Sequence, residues 1–221
     1  MKLVIGDKNY SSWSMRPWLL MTALGIPFQE EKLSFGDPAW KARARRYAPT
    51  GLVPVLIDGD LAVWDTLAIT EYLSEKFPER GVWPATAPAR ARARSIAAEM
   101  HAGFPAIRST LQMNCELRVA MQPLPRAVRG EIQRVFELWA DCRAQVAPDA
   151  GPFLFGAFSA ADAFYAPMTR RFVSYGIDCP DVARRYIAAI EALPATRAWL
   201  DEALAERQFI ECEEPYRDDR G

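Results

Sequence analysis

The chain has 221 residues, half of them hydrophobic and a quarter charged, which is enough for one large or two small packed domains. Its formal net charge of −1 gives no overall field that would attract nucleic acid or an anionic membrane, so we expect neither as a partner. No apolar run approaches the roughly 20 residues that span a bilayer. An acidic residue as early as Asp7 argues against a signal peptide, so we expect a cytoplasmic protein.

The first distinctive stretch is Asn9–Pro17, which contains three serines and follows a short apolar segment, Lys2–Ile5, that predicts a buried strand. The stretch Trp18–Leu24 predicts a helix, with the preceding proline in its first turn. Free backbone N–H groups, the positive end of a helix dipole and several hydroxyls would then meet, which suits a thiolate or a carboxylate. The simpler alternative is that Ser12 or Ser14 only caps the helix.

The rest of the first eighty residues alternates between strand and helix patterns. The predicted strands are 28–33, 53–57 and 61–63, and the predicted helices are 38–46 and 67–73. Pro54 stands at the head of a strand, where a cis bond can be held. Asp65 or Thr66 is the expected N-cap of the following helix, so a second hydroxyl lies at a helix start. This order predicts a small mixed sheet with helices on both faces.

After a linker at residues 79–88, which is rich in proline, the pattern is helical to residue 207. We predict one long helix from Ala89 to about Met113, loosened at Gly103 and Pro105. An apolar stripe at helical spacing follows within 128–146, and the spacing of Ser159 and Asp162 predicts a capping box before a helix that ends near residue 175. Two more helices are predicted at 181–193 and 195–207, and the charged tail at 208–221 is expected to be loose.

The cysteines and the single histidine argue against a metal or a dithiol site. The four cysteines form no C-x-x-C pair and predict free thiols, most of them packed as small apolar groups: Cys115, Cys142, Cys179 and Cys212. One histidine, His101, cannot build a histidine-rich metal site, and no nucleophile-elbow motif accompanies it. We therefore expect no bound metal.

Three motifs in one order resemble the glutathione S-transferase superfamily over nearly the whole chain. They are Pro49-x-Gly51-x-Val53-Pro54-Val55-Leu56, then Asp65-Thr66-Leu67-Ala68-Ile69-x-x-Tyr72-Leu73, and Ser159-x-x-Asp162. The serine pair followed by x-x-x-Arg16 is most similar to the serine-using classes, near the zeta class. The resemblance implies a thioredoxin-like α/β N-terminal domain at 1–78 and an all-α helical-bundle domain at 89–207.

The resemblance also implies how glutathione, as co-substrate, would bind. Val53, before a cis Pro54, would pair with the cysteine backbone of glutathione. The γ-glutamyl carboxylate would lie on the helix start at Asp65 and Thr66. The glycyl carboxylate would meet Lys41.

The catalytic step implied by the resemblance is activation of the thiol. A thiol with an ordinary pKa of about 8.5 is only a few per cent ionised at neutral pH, and a hydroxyl donor at a helix start favours the thiolate. Ser11 is the first candidate for this donor and Ser12 the second, whereas Tyr10 competes because other classes use a tyrosine. Other family-like functions stay open, namely a binding or regulatory protein and a glutathione-dependent isomerase or peroxidase.

The second substrate is expected to be a small hydrophobic electrophile, held by residues of the helical half and of the serine turn. The candidates for its site are Trp13, His101, Phe104 and Arg108. Trp13 stands where the zeta-like pattern has a cysteine that is associated with isomerase chemistry, which weighs against isomerisation. A homodimer is implied by the resemblance, with the third helix and Trp83 as expected contacts.

Overall fold

The computed structural model describes residues 1–120, 123–147 and 149–214. In these ranges an N-terminal unit of four strands and three helices precedes an all-helical part, which confirms the predicted fold class. The strands are β1 (Lys2–Ile5), β2 (Gln29–Lys32), β3 (Val55–Asp58) and β4 (Leu61–Val63). The α-helices are α1 (Ser12–Ala23), α2 (Trp40–Ala44), α3 (Thr66–Lys76), α4 (Ala87–Ala102), α5 (Pro105–Thr110), α6 (Arg126–Ala144), α7 (Ala160–Ser174), α8 (Asp181–Ala192) and α9 (Pro194–Ala205).

The sheet is mixed and has the order β2-β1-β3-β4, with β1 parallel to β2 and the other pairs antiparallel. Successive residues of a strand point to opposite faces. Leu3 and Ile5 therefore join the large core that contains α1 and α3, whereas Val4 packs with Val55 and with Ala44 of α2. This arrangement confirms helices on both faces of the sheet.

Helix α1 begins earlier than the sequence pattern predicts. Its first residue is Ser12 and Ser11 is its N-cap, so Pro17 lies inside the helix and not in its first turn. The interior position is tolerated although a proline cannot donate the usual hydrogen bond to the carbonyl four residues before it. The earlier start brings all three serines of the turn to the beginning of the helix.

The single long helix predicted at 89–113 is wrong, because the chain forms two helices there. Helix α4 ends at Ala102, Gly103 is extended, and Phe104 takes a left-handed conformation with φ 61° before α5 begins. The Gly103 N–H still donates to the Glu99 carbonyl at 2.8 Å. A Cβ at Gly103 would lie 2.6 Å from that carbonyl oxygen, so the close approach requires glycine.

The helical half is built around the buried indole of Trp139 on α6. The rings of Tyr165, Phe172 and Tyr186 lie 4.8–5.9 Å from it, measured between centroids. The predicted capping box at the start of α7 is confirmed, since Asp162 accepts a hydrogen bond from the Ser159 N–H at 2.9 Å. Helix α7 is buried along almost its whole length, and it packs against α1 and α4.

The segment after α9 turns back onto the N-terminal unit. The Tyr10 hydroxyl donates to the Gln208 carbonyl at 2.7 Å and also bonds the carboxylate of Glu214, and Gln208 contacts Ser34. The expectation of a loose tail is therefore wrong for residues 208–214, while 215–221 lie outside the described residues.

Three of the predicted free thiols, Cys115, Cys142 and Cys179, are unpaired and buried, whereas the Cys212 side chain is outside the described part. Among the described helices, none combines the length and apolar composition that crossing a bilayer takes.

Candidate functional site

The serine turn forms a connected set of hydroxyls at the start of α1. The Ser14 N–H donates to the Ser11 hydroxyl oxygen at 3.3 Å, and the Gly6 N–H donates to that of Ser14 at 3.0 Å. The two hydroxyls lie 2.7 Å apart, and either can donate because a hydroxyl proton rotates to suit its partners. When Ser14 donates, the Ser11 proton is free for a ligand. Ser11 is therefore a helix cap that can also act as a donor.

Ser12 is joined to the helical half by an arginine that the sequence analysis did not select. The Arg171 guanidinium on α7 donates to the Ser12 hydroxyl oxygen at 3.2 Å and to the Leu111 carbonyl at 2.8 Å. Burial, and then the positive charge of Arg108, lower the pKa of Arg171 to about 10, so the group stays charged at neutral pH. Because Arg171 can only donate, the proton of the Ser12 hydroxyl remains free to donate outward.

Trp13 lies between two further arginines. The guanidinium carbons of Arg16 and Arg108 lie 4.1 and 4.2 Å from the indole centroid. Arg16 is buried, and its Nε and Nη1 have no hydrogen-bond partner within the described residues. Burial and the neighbouring guanidinium groups lower the pKa of Arg16. Burial also lowers the pKa of Arg108. Three cations therefore converge on the start of α1.

A cavity of about 290 Å³ opens beside this turn. It is lined by parts of both halves: Tyr10, Ser11, Ser12, Trp13, Phe35, Trp40, Leu52, Val53, Arg108, Gln112, Met113, Arg171 and Glu213. The peptide bond between Val53 and Pro54 is cis, as the sequence allows. The serine pair, the valine before the cis proline and two arginines thus share one cavity. Strand β3 begins at Val55, two residues later than the predicted start at residue 53. Glu213 is the carboxylate among its lining residues, and burial raises its pKa while Arg171 opposes that shift.

The start of α3 forms a second polar group of side chains. Asp65 is the N-cap, and its carboxylate accepts the Leu67 N–H at 2.9 Å. His101 reaches this point from α4, with Nε2 2.9 Å from the Asp65 carboxylate and Nδ1 3.4 Å from the Thr66 hydroxyl. The same imidazole contacts Trp13 edge to face at 5.1 Å. His101 therefore connects the α3 start to the serine turn.

Two candidate residues, Lys41 and Phe104, are not among the residues that line the cavity, and a third, Tyr10, lines it with its hydroxyl already bonded. The Lys41 ammonium lies 5.6 Å from the Trp40 ring centroid, and it is Trp40 that lines the cavity. Phe104 is buried in the core at the junction of α4 and α5 and is not among the cavity-lining residues. The Tyr10 hydroxyl is bonded to Gln208 and Glu214, and burial raises its pKa, so it does not compete with the serines as a donor to a ligand.

The residue of the candidate site that the sequence reasoning missed is Arg171. A signal was present, because Arg170 and Arg171 follow a run of small and aromatic residues in a helix with no polar face. A charged residue in such a helix is buried and needs a polar partner, which makes it a candidate for a site. Nowhere in the part of the chain that the structure describes do three or more metal-ligating side chains come together.

Comparison with known proteins agrees with this geometry. Residues 10–76 match the model of the glutathione S-transferase N-terminal domain, and residues 87–202 match that of the C-terminal domain. The chain belongs to the glutathione S-transferase family. The resemblance inferred from the serine, proline and capping motifs is therefore confirmed.

Individual relatives of this glutathione S-transferase family member either have low identity over most of the chain or match a short part of it. A probable maleylacetoacetate isomerase from Vibrio cholerae is 28% identical over 166 residues, which is 72% of this chain and 76% of the relative. A dichloromethane dehalogenase from Methylorubrum extorquens is 38% identical over 65 residues, 28% of this chain. The matches span only 23% and 22% of the length of two dichloromethane dehalogenases and 38% of a carnation glutathione S-transferase.

Solved structures share the fold over almost the whole chain. A maleyl pyruvate isomerase described as a zeta-class bacterial glutathione S-transferase has a TM-score of 0.70 at 24% identity, covering 90% of this chain and 96% of its own. A Burkholderia glutathione transferase homolog with bound glutathione has a TM-score of 0.69 at 21% identity, covering 94% and 98%. These likenesses show that the fold is shared.

Proposed function

We propose that the protein is a glutathione-dependent enzyme that holds the glutathione thiol as a thiolate at Ser11 and Ser12 and directs it at a small electrophile bearing a carboxylate. The observation that carries the proposal is the shared cavity, in which both serines, Val53, Arg108 and Arg171 meet. A thiolate is favoured there by a hydroxyl donor, by the N-terminus of α1 and by the nearby cations. The sulfur then forms a bond to the electrophilic carbon, and the leaving group departs with its electron pair.

The arginines favour an anionic electrophile over the purely hydrophobic one expected from the sequence. A guanidinium presents a planar set of donors that fits a carboxylate through two parallel hydrogen bonds. Arg108 lines the cavity and uses one of its nitrogens on the carbonyls of Met100 and His101, at 3.3 and 3.2 Å. Its other donors, together with Trp13 beneath the guanidinium, give a flat cationic wall for the second substrate.

Glutathione itself would follow the arrangement implied by the family resemblance. The backbone of its cysteine would pair with Val53, and its γ-glutamyl carboxylate would lie on the α3 start at Thr66, where hydroxyl, N–H and helix dipole favour an anion. Asp65 is placed to accept from the γ-glutamyl ammonium. Lys41 remains the proposed partner of the glycyl carboxylate. The bound glutathione of the Burkholderia homolog supports the same ligand in this fold.

A second candidate is glutathione-dependent cis–trans isomerisation, which the names of the Vibrio cholerae relative and of the zeta-class structure favour. In that reaction the thiolate adds to one carbon of a double bond, the resulting single bond rotates, and elimination returns the thiolate. Trp13, in place of the cysteine of the zeta-like pattern, weighs against it. The two functions differ in a simple observable, because conjugation consumes glutathione and isomerisation does not.

The decisive experiment is an ultraviolet titration of the thiol of bound glutathione in the wild type and in Ser11→Ala and Ser12→Ala. We expect a bound thiol pKa about two units below its usual 8.5, and a rise of about one unit or more when the donor serine is lost. Ser95→Ala is the matched control, because Ser95 is exposed on α4 and its hydroxyl donates to the Ala91 carbonyl of the same helix, outside the cavity. A bound thiol that titrates at its ordinary pKa in the wild type would contradict the proposal.

The substrate class is tested with a chloronitrobenzoate and with its methyl ester, which lacks the negative charge; each enzymatic rate is divided by the uncatalysed rate with glutathione, because the ester is intrinsically the more reactive compound. We expect the acid to be preferred by the wild type, and the preference to fall about tenfold or more in Arg108→Gln, since a charged hydrogen bond is worth about 1.5–3 kcal/mol. Equal rates for acid and ester would point to the apolar electrophile instead.

A further inference from the structure

We propose that His101 is a positioning residue that couples uptake of a proton to recognition of the γ-glutamyl end of glutathione at the start of α3. The proposal rests on the proposed function for the identity of the ligand. Its basis is the bridging position of the imidazole, with Nε2 2.9 Å from the Asp65 carboxylate and Nδ1 3.4 Å from the Thr66 hydroxyl. One ring thus contacts both side chains that would hold the same end of the ligand.

The protonation state of the ring decides what Thr66 can offer. In a neutral imidazole one nitrogen donates and the other accepts. The carboxylate of Asp65 can only accept here, so it takes the Nε2–H, and Nδ1 must then accept the proton of the Thr66 hydroxyl. Thr66 is buried, and in this form its hydroxyl would present only lone pairs to a carboxylate bound against it, which would repel that carboxylate.

The imidazolium reverses this arrangement. Both ring nitrogens then donate, so Nδ1–H is directed at the Thr66 oxygen and the hydroxyl proton is released to point at the ligand. The γ-glutamyl carboxylate gains a hydrogen-bond donor and a nearby positive charge together. Asp65 holds the ring in place in both forms, because Nε2 donates to it throughout. The charged ring is therefore the form suited to binding.

Three charged groups face His101, and they have opposite effects on its pKa. Asp65 on α3 favours the imidazolium, whereas Arg16 on α1 and Arg108 on α5 disfavour it. Burial is the largest effect, and with the arginines it lowers the pKa of His101 below its usual value. The ring is therefore mainly neutral at pH 7 without ligand. A bound carboxylate would add negative charge beside His101 and raise the pKa of its imidazole, so the ring would take up a proton. Solvent can supply this proton, because the His101 side chain is 22% exposed.

The linkage between proton uptake and ligand binding determines how the affinity changes with pH. Since the ligand raises the pKa of His101, affinity is highest below the pKa of the free protein and declines until the pH exceeds the pKa of the complex. Each unit of difference between the two pKa values corresponds to about tenfold in affinity. Above the higher pKa the affinity is low and no longer changes with pH.

The test is calorimetric binding of S-methylglutathione between about pH 5.5 and 8, a probe that lacks an ionisable thiol and so removes the titration of the sulfur. We expect affinity to fall as pH rises, with proton uptake that shows as a dependence of the heat on the buffer. In His101→Gln we expect the pH dependence and the proton uptake to disappear, because the amide can still donate to Asp65 but carries no charge. Unchanged pH dependence in this variant would overturn the proposal.

A second measurement uses the fact that the chain has one histidine. Nuclear magnetic resonance titration of its imidazole should give a higher pKa in the presence of S-methylglutathione than in its absence. Thr66→Val keeps the shape of the side chain and removes the hydroxyl, so we expect the ligand-induced rise to shrink in that variant. If S-methylglutathione bound at no pH, the proposed function would be contradicted. If it bound tightly with an affinity that did not change with pH, only the role of His101 would be overturned.

Discussion

At the scale of single residues, three neighbouring hydroxyls of the site differ in their hydrogen-bond partners. Tyr10 is bonded to the segment after α9, Ser11 caps α1, and Ser12 accepts from a buried arginine. A hydroxyl whose proton is already taken by a carboxylate or carbonyl is not available to a ligand. The Ser12 proton is therefore available to a ligand, as is that of Ser11 when Ser14 donates to it, whereas the Tyr10 hydroxyl is used in contacts within the protein.

This separation predicts the outcome of Tyr10→Phe. The thiol pKa of bound glutathione should stay where it is in the wild type, while the free energy of unfolding falls by about 1 kcal/mol through loss of the bonds to Gln208 and Glu214. Titration of the bound thiol and urea denaturation measure the two effects. A rise of the thiol pKa comparable with that expected for Ser11→Ala would instead make Tyr10 the donor.

At the scale of elements, the break between α4 and α5 positions the helical side of the site. It separates His101 near the end of α4, which contacts the α3 start, from Arg108 on α5, which contacts Trp13. A continuous helix would carry both side chains along one straight axis. The break depends on the close approach of Gly103 to the Glu99 carbonyl.

We therefore expect Gly103→Ala to be destabilising by about 1–3 kcal/mol, since the added Cβ would meet a backbone oxygen and the helix end must shift. The matched control is Gly130→Ala inside α6, where a Cβ meets nothing within 4 Å. That control should stabilise by about 0.5–1 kcal/mol through its better helix propensity. Urea denaturation of both variants is the measurement, and equal effects of the two substitutions would refute the steric explanation.

At the scale of the whole molecule, a buried lysine joins the beginning of the chain to its last helix. The Lys8 ammonium bonds Glu30 at 2.7 Å and also Glu202 on α9, and it lies 4.6 and 5.5 Å from the ring centroids of Trp18 and Trp199. The Glu206 carboxylate accepts the backbone N–H of the same lysine at 2.9 Å. The turn that carries the serines is thus fastened to α9.

Lys8→Met should lower the free energy of unfolding by about 2 kcal/mol, because it removes charged hydrogen bonds to Glu30 and Glu202, whose carboxylates remain partly exposed to water. Lys76→Met is the control, since Lys76 pairs with Asp58 at the surface, where such pairs contribute about 1 kcal/mol or less. Thermal and urea unfolding give the comparison. Similar losses in the two variants would show that Lys8 is no more than a surface ion pair.

The sequence predicted those features that depend on local chemistry. The strand 61–63 and the capping box of Ser159 with Asp162 need only neighbouring residues, and both are confirmed. The start of α1 was missed, because the capping bonds of Ser11 prevailed over the helix pattern. The loosening expected at Gly103 and Pro105 is a full break into two helices, at the place where the glycine approaches the Glu99 carbonyl. The domain limits at 1–78 and 89–207 stay a prediction.

Part of the candidate site could not be predicted because it depends on packing between distant segments. Arg171 meets Ser12 only when α7 lies against α1, and no local spacing encodes that contact. The same holds for His101, which was assigned to the electrophile site and which the structure places beside Asp65 and Thr66. The catalytic assignment of Ser11 or Ser12 and the expected homodimer remain predictions.

The three guanidinium groups near the start of α1, those of Arg16, Arg108 and Arg171, also bear on how ligands arrive. A protein with a net charge of −1 has no long-range attraction for anions, yet a cluster of like charges beside low-dielectric walls focuses the potential at the mouth of the cavity. Glutathione and an acidic second substrate would both be drawn in from short range. Their capture should slow as ionic strength rises, although the average surface of the molecule is almost neutral.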